Sequence, residues 1–133
     1  MKRDLDFLRE ILLFAETHCD GSAFEPLDVS KLPVQYLSAT QATIDEHITL
    51  AQEQGLIDAI HPSNGWHIRR LTWDGQEFLA NAREPEVWNA AKAAVGSASF
   101  AVFVSTLSHL AVHHGLDSLK SWLEATLARL GGS

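Results

Sequence analysis

The sequence predicts a mainly α chain with a small antiparallel β hairpin, and three observations carry that prediction. An apolar stripe at helical spacing, Ile44, Ile48 and Ala51, stops at Gly55. Two short extended runs follow, residues 56–60 and 66–71, separated by the turn-forming stretch His61-Pro62-Ser63-Asn64-Gly65. Beyond them the apolar period returns to that of helices and keeps it almost to the C-terminus. Helix, stop and hairpin are the layout of the recognition helix and wing of a winged-helix domain. The remainder is a C-terminal helical extension.

The first helix is expected over residues 2–18. Leu5, Leu8, Leu12 and Ala15 make its stripe, Ile11 widens it, and Asp20-Gly21-Ser22 ends it. Residues 24–34 carry Pro26 and Pro33 and read as a loop with a short edge strand around 27–29. Little sequence remains for a second helix before the central one, so it is very short or missing. The central helix occupies residues 40–54, with His47 beside its apolar stripe as a hydrogen-bonded, half-buried side chain. Gly55 fits a left-handed C-cap, and Asn64-Gly65 is the strongest hairpin signal. In the second strand Arg69 and Arg70 are successive and should point to opposite faces. One of them then shares the wing surface with His67 and the other pairs with a carboxylate. Trp66 is assigned to the core for the apolar area it carries.

Thr72 is an N-cap for a helix over residues 73–83, with Phe78, Leu79 and Ala82 inward and Asp74 and Glu77 in or near the first turn. Glu84-Pro85 breaks that helix, and Pro85 suits the first turn of another, with Trp88, Ala91 and Val95 as its stripe and Gly96 as its stop. Ser97 or Ser99 starts the next, whose inner face is Phe100, Phe103, Val104, Leu107 and Ala111, with Val102 and Leu110 on the flanks. After Gly115, Asp117 or Ser118 caps a last helix carrying Leu119, Trp122, Leu123, Thr126 and Leu130. These two form an antiparallel hairpin. The organisation expected is a winged-helix domain at 1–83 and a helical extension at 84–133. The broad apolar face Phe100, Phe103, Val104, Leu107, Leu110 and Trp122 serves either a homodimer contact or packing on the core.

Composition narrows the function classes. At 133 residues with 46% apolar side chains the chain is globular, and its formal charge of −7 argues against a general binder of nucleic acid or anionic membrane. Its single cysteine, Cys19, forms no intramolecular disulfide, reads as an inert thiol and fits a reducing compartment. Charged residues interrupt the apolar run at the N-terminus, and no segment is long enough to span a bilayer, so a cytoplasmic protein with no membrane partner is expected.

The polar face of the central helix decides the functional argument. Asp45, Glu46, Thr49, Gln52 and Glu53 point away from the stripe, and residues 40–54 contain neither Lys nor Arg. A groove-reading helix needs cations to neutralise phosphates. Three carboxylates there make this a solvated or protein-contacting surface. The competing reading is a DNA-binding regulator in which Lys2, Arg3, His67, Arg69 and Arg70 hold phosphates and Gln41, Thr43 and Gln52 read bases. A weaker third reading is a metal protein: His109 and His113 are four apart on one helix face, but no further ligand accompanies them. No acid/base pair, phosphate loop or nucleophile elbow is present, so neither an enzyme nor a cofactor is expected.

Three segments, MKRDLDFLREIL, IDEHITLAQEQGLI and IRRLTWDGQEFLANAREPEVWNAAK, resemble the DUF2513 family of small bacterial and prophage proteins. The resemblance runs from Met1 to about Gly96, and Leu71-Thr72-Trp73-Asp74-Gly75 with Phe78-Leu79 and Trp88 are its most specific pieces. A His commonly stands in the family where this chain has Gln76. The resemblance implies a winged-helix-like layout and a mobile-element setting, with a role in regulation or host interaction, and it brings no catalytic residue. The function expected is therefore a non-enzymatic module that binds a host or defence protein through its acidic surface.

Overall fold

The computed structural model describes residues 3–62, 65–95 and 99–113, with Val112 and His113 by backbone alone. Lys2, Ser63, Asn64, Gly96, Ser97 and everything beyond His113, including Gly115, Trp122 and the expected last helix, lie outside the described residues. The elements in order are α1 (Leu5–His18), β1 (Glu25–Pro26), two 3-10 turns (Val29–Lys31 and Val34–Tyr36), α2 (Gln41–Glu53), β2 (Ile57–Ile60), β3 (His67–Leu71), α3 (Trp73–Ala82), α4 (Pro85–Val95) and α5 (Phe100–His113). The fold is mainly helical with one small antiparallel sheet, strand order β1-β3-β2. The chain divides into two compact units, Met1–Leu79 and Ala80–Ser133.

In the first unit α1 begins at Leu5, later than expected, because the Asp4 carboxylate accepts from the Phe7 N–H (3.1 Å) and caps the helix there. Leu8, Ile11, Leu12 and Ala15 are fully buried as the stripe requires, and Phe7 and Phe14 join them. β1 lies at Glu25–Pro26, just before the expected 27–29. Leu27 N still donates to Trp66 O (3.2 Å), but the Asp28 carboxylate then takes the Ser30 N–H (3.0 Å) and turns the chain into the first 3-10 turn. Those two turns occupy the place of a second helix.

Thr40 caps α2 through Thr43 N, and Gly55 ends it with φ +72°. Ile44, Ile48 and Ala51 are buried. His47 is more deeply placed than expected, at 1% exposure. Its Nε2 accepts from the Asp4 N–H (2.9 Å), Nδ1 lies 2.8 Å from Thr43 O, and its ring stacks on Phe7 at 5.0 Å. The Asp4 donor fixes the tautomer with the proton on Nδ1.

The hairpin departs from simple alternation. Asp58 faces Arg70 and Ala59 faces Ile68, so Arg69 is an extra residue, a β-bulge. Ile68 and Leu71, three apart, are consequently both buried, and Arg69 and Arg70 are both exposed. The expectation that the two arginines take opposite faces fails for this reason. Trp66, expected in the core, is half-buried against His61 at 4.7 Å. The turn closes with Gly65 N donating to Pro62 O (3.1 Å) at a Gly65 φ of +112°.

The start of α3 is locked to the end of α2. Thr72 N donates to Leu56 O (3.0 Å), the Thr72 hydroxyl donates to Gly55 O, and the same hydroxyl accepts from Gly75 N (3.0 Å). A methyl on Gly75 would overlap the Leu56 carbonyl. Phe78 and Leu79 are buried, whereas Trp73 is 74% exposed.

In the second unit Pro85 opens α4, and Ser99 caps α5 by accepting from Val102 N (3.3 Å). Trp88 meets Phe103 edge-on at 5.3 Å, and Val87 and Ala91 are buried with it. Phe100, Phe103, Leu107 and Leu110, expected either as dimer contacts or as core packing, are all buried at 6% exposure or less, and Val104 is half-buried. Among the described residues these side chains pack within the chain, and Val104 keeps part of its surface.

Candidate functional site

The amphipathic spacing of α2 sends its polar positions outward, and part of that face forms a shallow cleft of about 380 Å³. Arg3, Asp45, Glu46, Thr49, Leu50 and Glu53 line it. The structure thus brings four of the five expected protein-contact residues together and detaches the fifth. Gln52 donates its amide to Ala59 O (3.0 Å), closing part of the free edge of β2. Asp45 is engaged from two sides, by the Gln41 amide (2.8 Å) and by His61 Nε2 at 3.9 Å. Glu46 and Glu53 are exposed and hold no hydrogen bond or ion pair among the described residues.

Sequence reasoning missed Leu50. It is an apolar residue at i+4 from Glu46, outside the buried stripe, and it gives the acidic cleft a hydrocarbon wall. That misplaced leucine was the available signal.

The DNA-contact candidates are largely occupied. Arg69 pairs with Asp58 (Nη1 to Oδ2, 3.2 Å) and its Nε donates to Gly21 O (3.1 Å). Arg70 donates to Leu71 O (3.1 Å). Gln41 is held by Asp45, and the Thr43 hydroxyl lies 2.9 Å from that of Thr40. Arg3 stands in the acidic cleft. His67 is half-buried, between Pro26 and Ile60 across the sheet. Lys2 lies outside the described residues.

The Cys19 thiol is buried, and that burial, with Glu25 and Asp20 nearby, pushes its pKa up to about 11, so it is held as an unreactive thiol. Among the described residues no group of three or more His, Cys, Asp or Glu could hold a metal ion, and His113's side chain lies outside them. No described helix is long and apolar enough to cross a membrane.

A family model described as a hypothetical protein, DUF2513, matches residues 2–101. The chain is also similar to an uncharacterized protein of Haemophilus influenzae, 32% identical over 115 residues, which covers 84% of this chain and 92% of that one. No solved structure matches.

Proposed function

The chain belongs to the DUF2513 family, and we propose that it is a non-enzymatic interaction module of winged-helix layout, working in the cytoplasm, that binds a basic protein surface through the outer face of α2. The succession of helix, short strand, two 3-10 turns, helix and hairpin, with strand order β1-β3-β2, supports the winged-helix layout. The observation that carries the binding reading is the pair Glu46 and Glu53, exposed and unpaired among the described residues, on either side of the Leu50 wall of the cleft. Carboxylates beside a hydrocarbon wall suit a lysine or arginine, whose stem packs while its head is paired. The same carboxylates repel a phosphate backbone. The partner class is a protein with a basic groove, such as a host or defence protein that itself handles nucleic acid.

The test is fluorescence anisotropy with two labelled probes at low and moderate salt, nona-arginine and a mixed-sequence DNA duplex. The expected result is salt-sensitive binding of the peptide, lost in the double variant Glu46→Gln, Glu53→Gln, with no binding of the duplex. Tight, salt-sensitive duplex binding that Arg69→Ala weakens would overturn this reading in favour of a DNA-binding regulator.

A further inference from the structure

Trp73 is the feature of the first unit that the fold leaves unexplained. Tryptophan is highly buried on average, yet this one is 74% exposed and makes no ring contact among the described residues. The inward positions of α3 in this unit are Gly75, Phe78 and Leu79, all buried. Trp73, Gln76 and Glu77 share the outward face at i, i+3 and i+4, and Asp74 is exposed beside them.

The backbone beneath Trp73 is fixed. Thr72 is tied to Gly55 O and Leu56 O, and Gly75 is pressed against the Leu56 carbonyl. Those ties also set its location. Gly55 is two residues past Glu53, the last residue of α2 and part of the acidic cleft, so these ties join the start of α3 to the chain just beyond that cleft. On its own helix Glu77, at i+4, shares the outward face with Trp73, and Asp74 is exposed beside it. The nearest cation in sequence is Arg70, which donates to Leu71 O and makes no ring contact with the indole.

An exposed indole with exposed carboxylates on its own helix has two complementary partners in principle, a nucleobase and a cation. Those carboxylates repel the phosphates that accompany a base. They favour a cation over the ring face, and a planar guanidinium stacks there better than an ammonium.

We propose that Trp73 is the platform on which an arginine of the basic partner stacks, extending the α2 cleft past Glu53. This rests on the proposed binding of a basic protein surface by α2. It adds the residue that distinguishes arginine from lysine.

The test uses the full chain with labelled nona-arginine and nona-lysine, for the wild type, Trp73→Ala, Trp73→Phe and the Glu46→Gln, Glu53→Gln double variant. Trp73→Ala should weaken nona-arginine binding about two- to fivefold, the range of an exposed cation–π contact, and Trp73→Phe by less. Nona-lysine should bind more weakly and lose less. In NMR spectra the Trp73 indole N–H, assigned by its loss in Trp73→Phe, should shift on adding nona-arginine. Unfolding midpoints of the Trp73 variants should match the wild type, because the side chain is exposed. Undiminished nona-arginine binding by Trp73→Ala, with binding lost in the double variant, overturns the Trp73 platform and leaves the α2 cleft standing. Loss only in Trp73→Ala overturns the cleft and keeps the platform. No binding of either peptide overturns both.

Discussion

Single residues in this chain are held by backbone carbonyls and N–H groups as much as by apolar contact. Gly75 is the sharpest case. In an exposed helix Gly→Ala gains about 1 kcal/mol from propensity, but here the added methyl meets the Leu56 carbonyl. We expect Gly75→Ala to destabilise by about 1–3 kcal/mol in urea unfolding, as overpacking does; a stabilised variant would show the approach to be looser than described. His47 makes the second case. Replacing it by Phe keeps the stack on Phe7 but leaves the Asp4 N–H without its acceptor, at a cost of about 1–3 kcal/mol for an orphaned donor. Cys19 gives a prediction in pH. Burial raises its pKa to about 11, so the neutral thiol is the favoured folded form and the thiolate is scarce below that value. Alkylation of the native protein should therefore rise about tenfold per pH unit through pH 10 and level only near 11, well above the inflection of about 8.5 for a free thiol. A plateau near 8.5 would mean the thiol is open to solvent.

At the scale of elements, the junction of α2 with β2 and α3 is the best-defined joint of the first unit. Thr72 serves it three times, as cap of α3, donor to Gly55 O and backbone donor to Leu56 O. Thr72→Val keeps the shape and removes the hydroxyl, so about 1–2 kcal/mol of stability should go with it, read from the urea midpoint. The Thr72-Trp73-Asp74-Gly75 segment thereby separates into parts: Thr72 and Gly75 build the joint, and Trp73 and Asp74 face outward from it. The hairpin shows how an element can rearrange its own pattern. A single bulge at Arg69 moves Leu71 onto the buried face and leaves both arginines outside, where Arg69 is neutralised by Asp58.

For the whole molecule, the main question is which surfaces remain to meet a partner. On α5, Phe103 and Leu107 are fully buried. Leu107→Ala should cost about 2–5 kcal/mol, as a cavity in a packed core does. Its light-scattering mass should equal that of the wild type; a mass that halves would return α5 to the role of an interface. Among the described residues exposed carboxylates stand on α2, at Glu46 and Glu53, and at the start of α3, at Asp74 and Glu77, in keeping with the charge of −7.

The sequence by itself determined the succession of elements, because helix and strand periods, N-caps such as Thr40 and Thr72, and punctuation such as Gly55 are local signals written in adjacent residues. It also determined that the outer face of α2 is acidic, since helical spacing alone assigns Asp45, Glu46, Thr49 and Glu53 to one side. It carried the resemblance to the family as well. Only the tertiary structure decided where long-range partners go: the bulge that exposes both arginines, the Asp4 N–H that reaches His47 across 43 residues of chain, the Gln52 amide turned to the sheet edge, and the burial of α5. None of these has a local signal, because each depends on which backbone group or side chain arrives from a distant segment. Trp73 belongs to the same class. Its outward position follows from the press of Gly75 against Leu56, a contact between residues that periodicity cannot bring together.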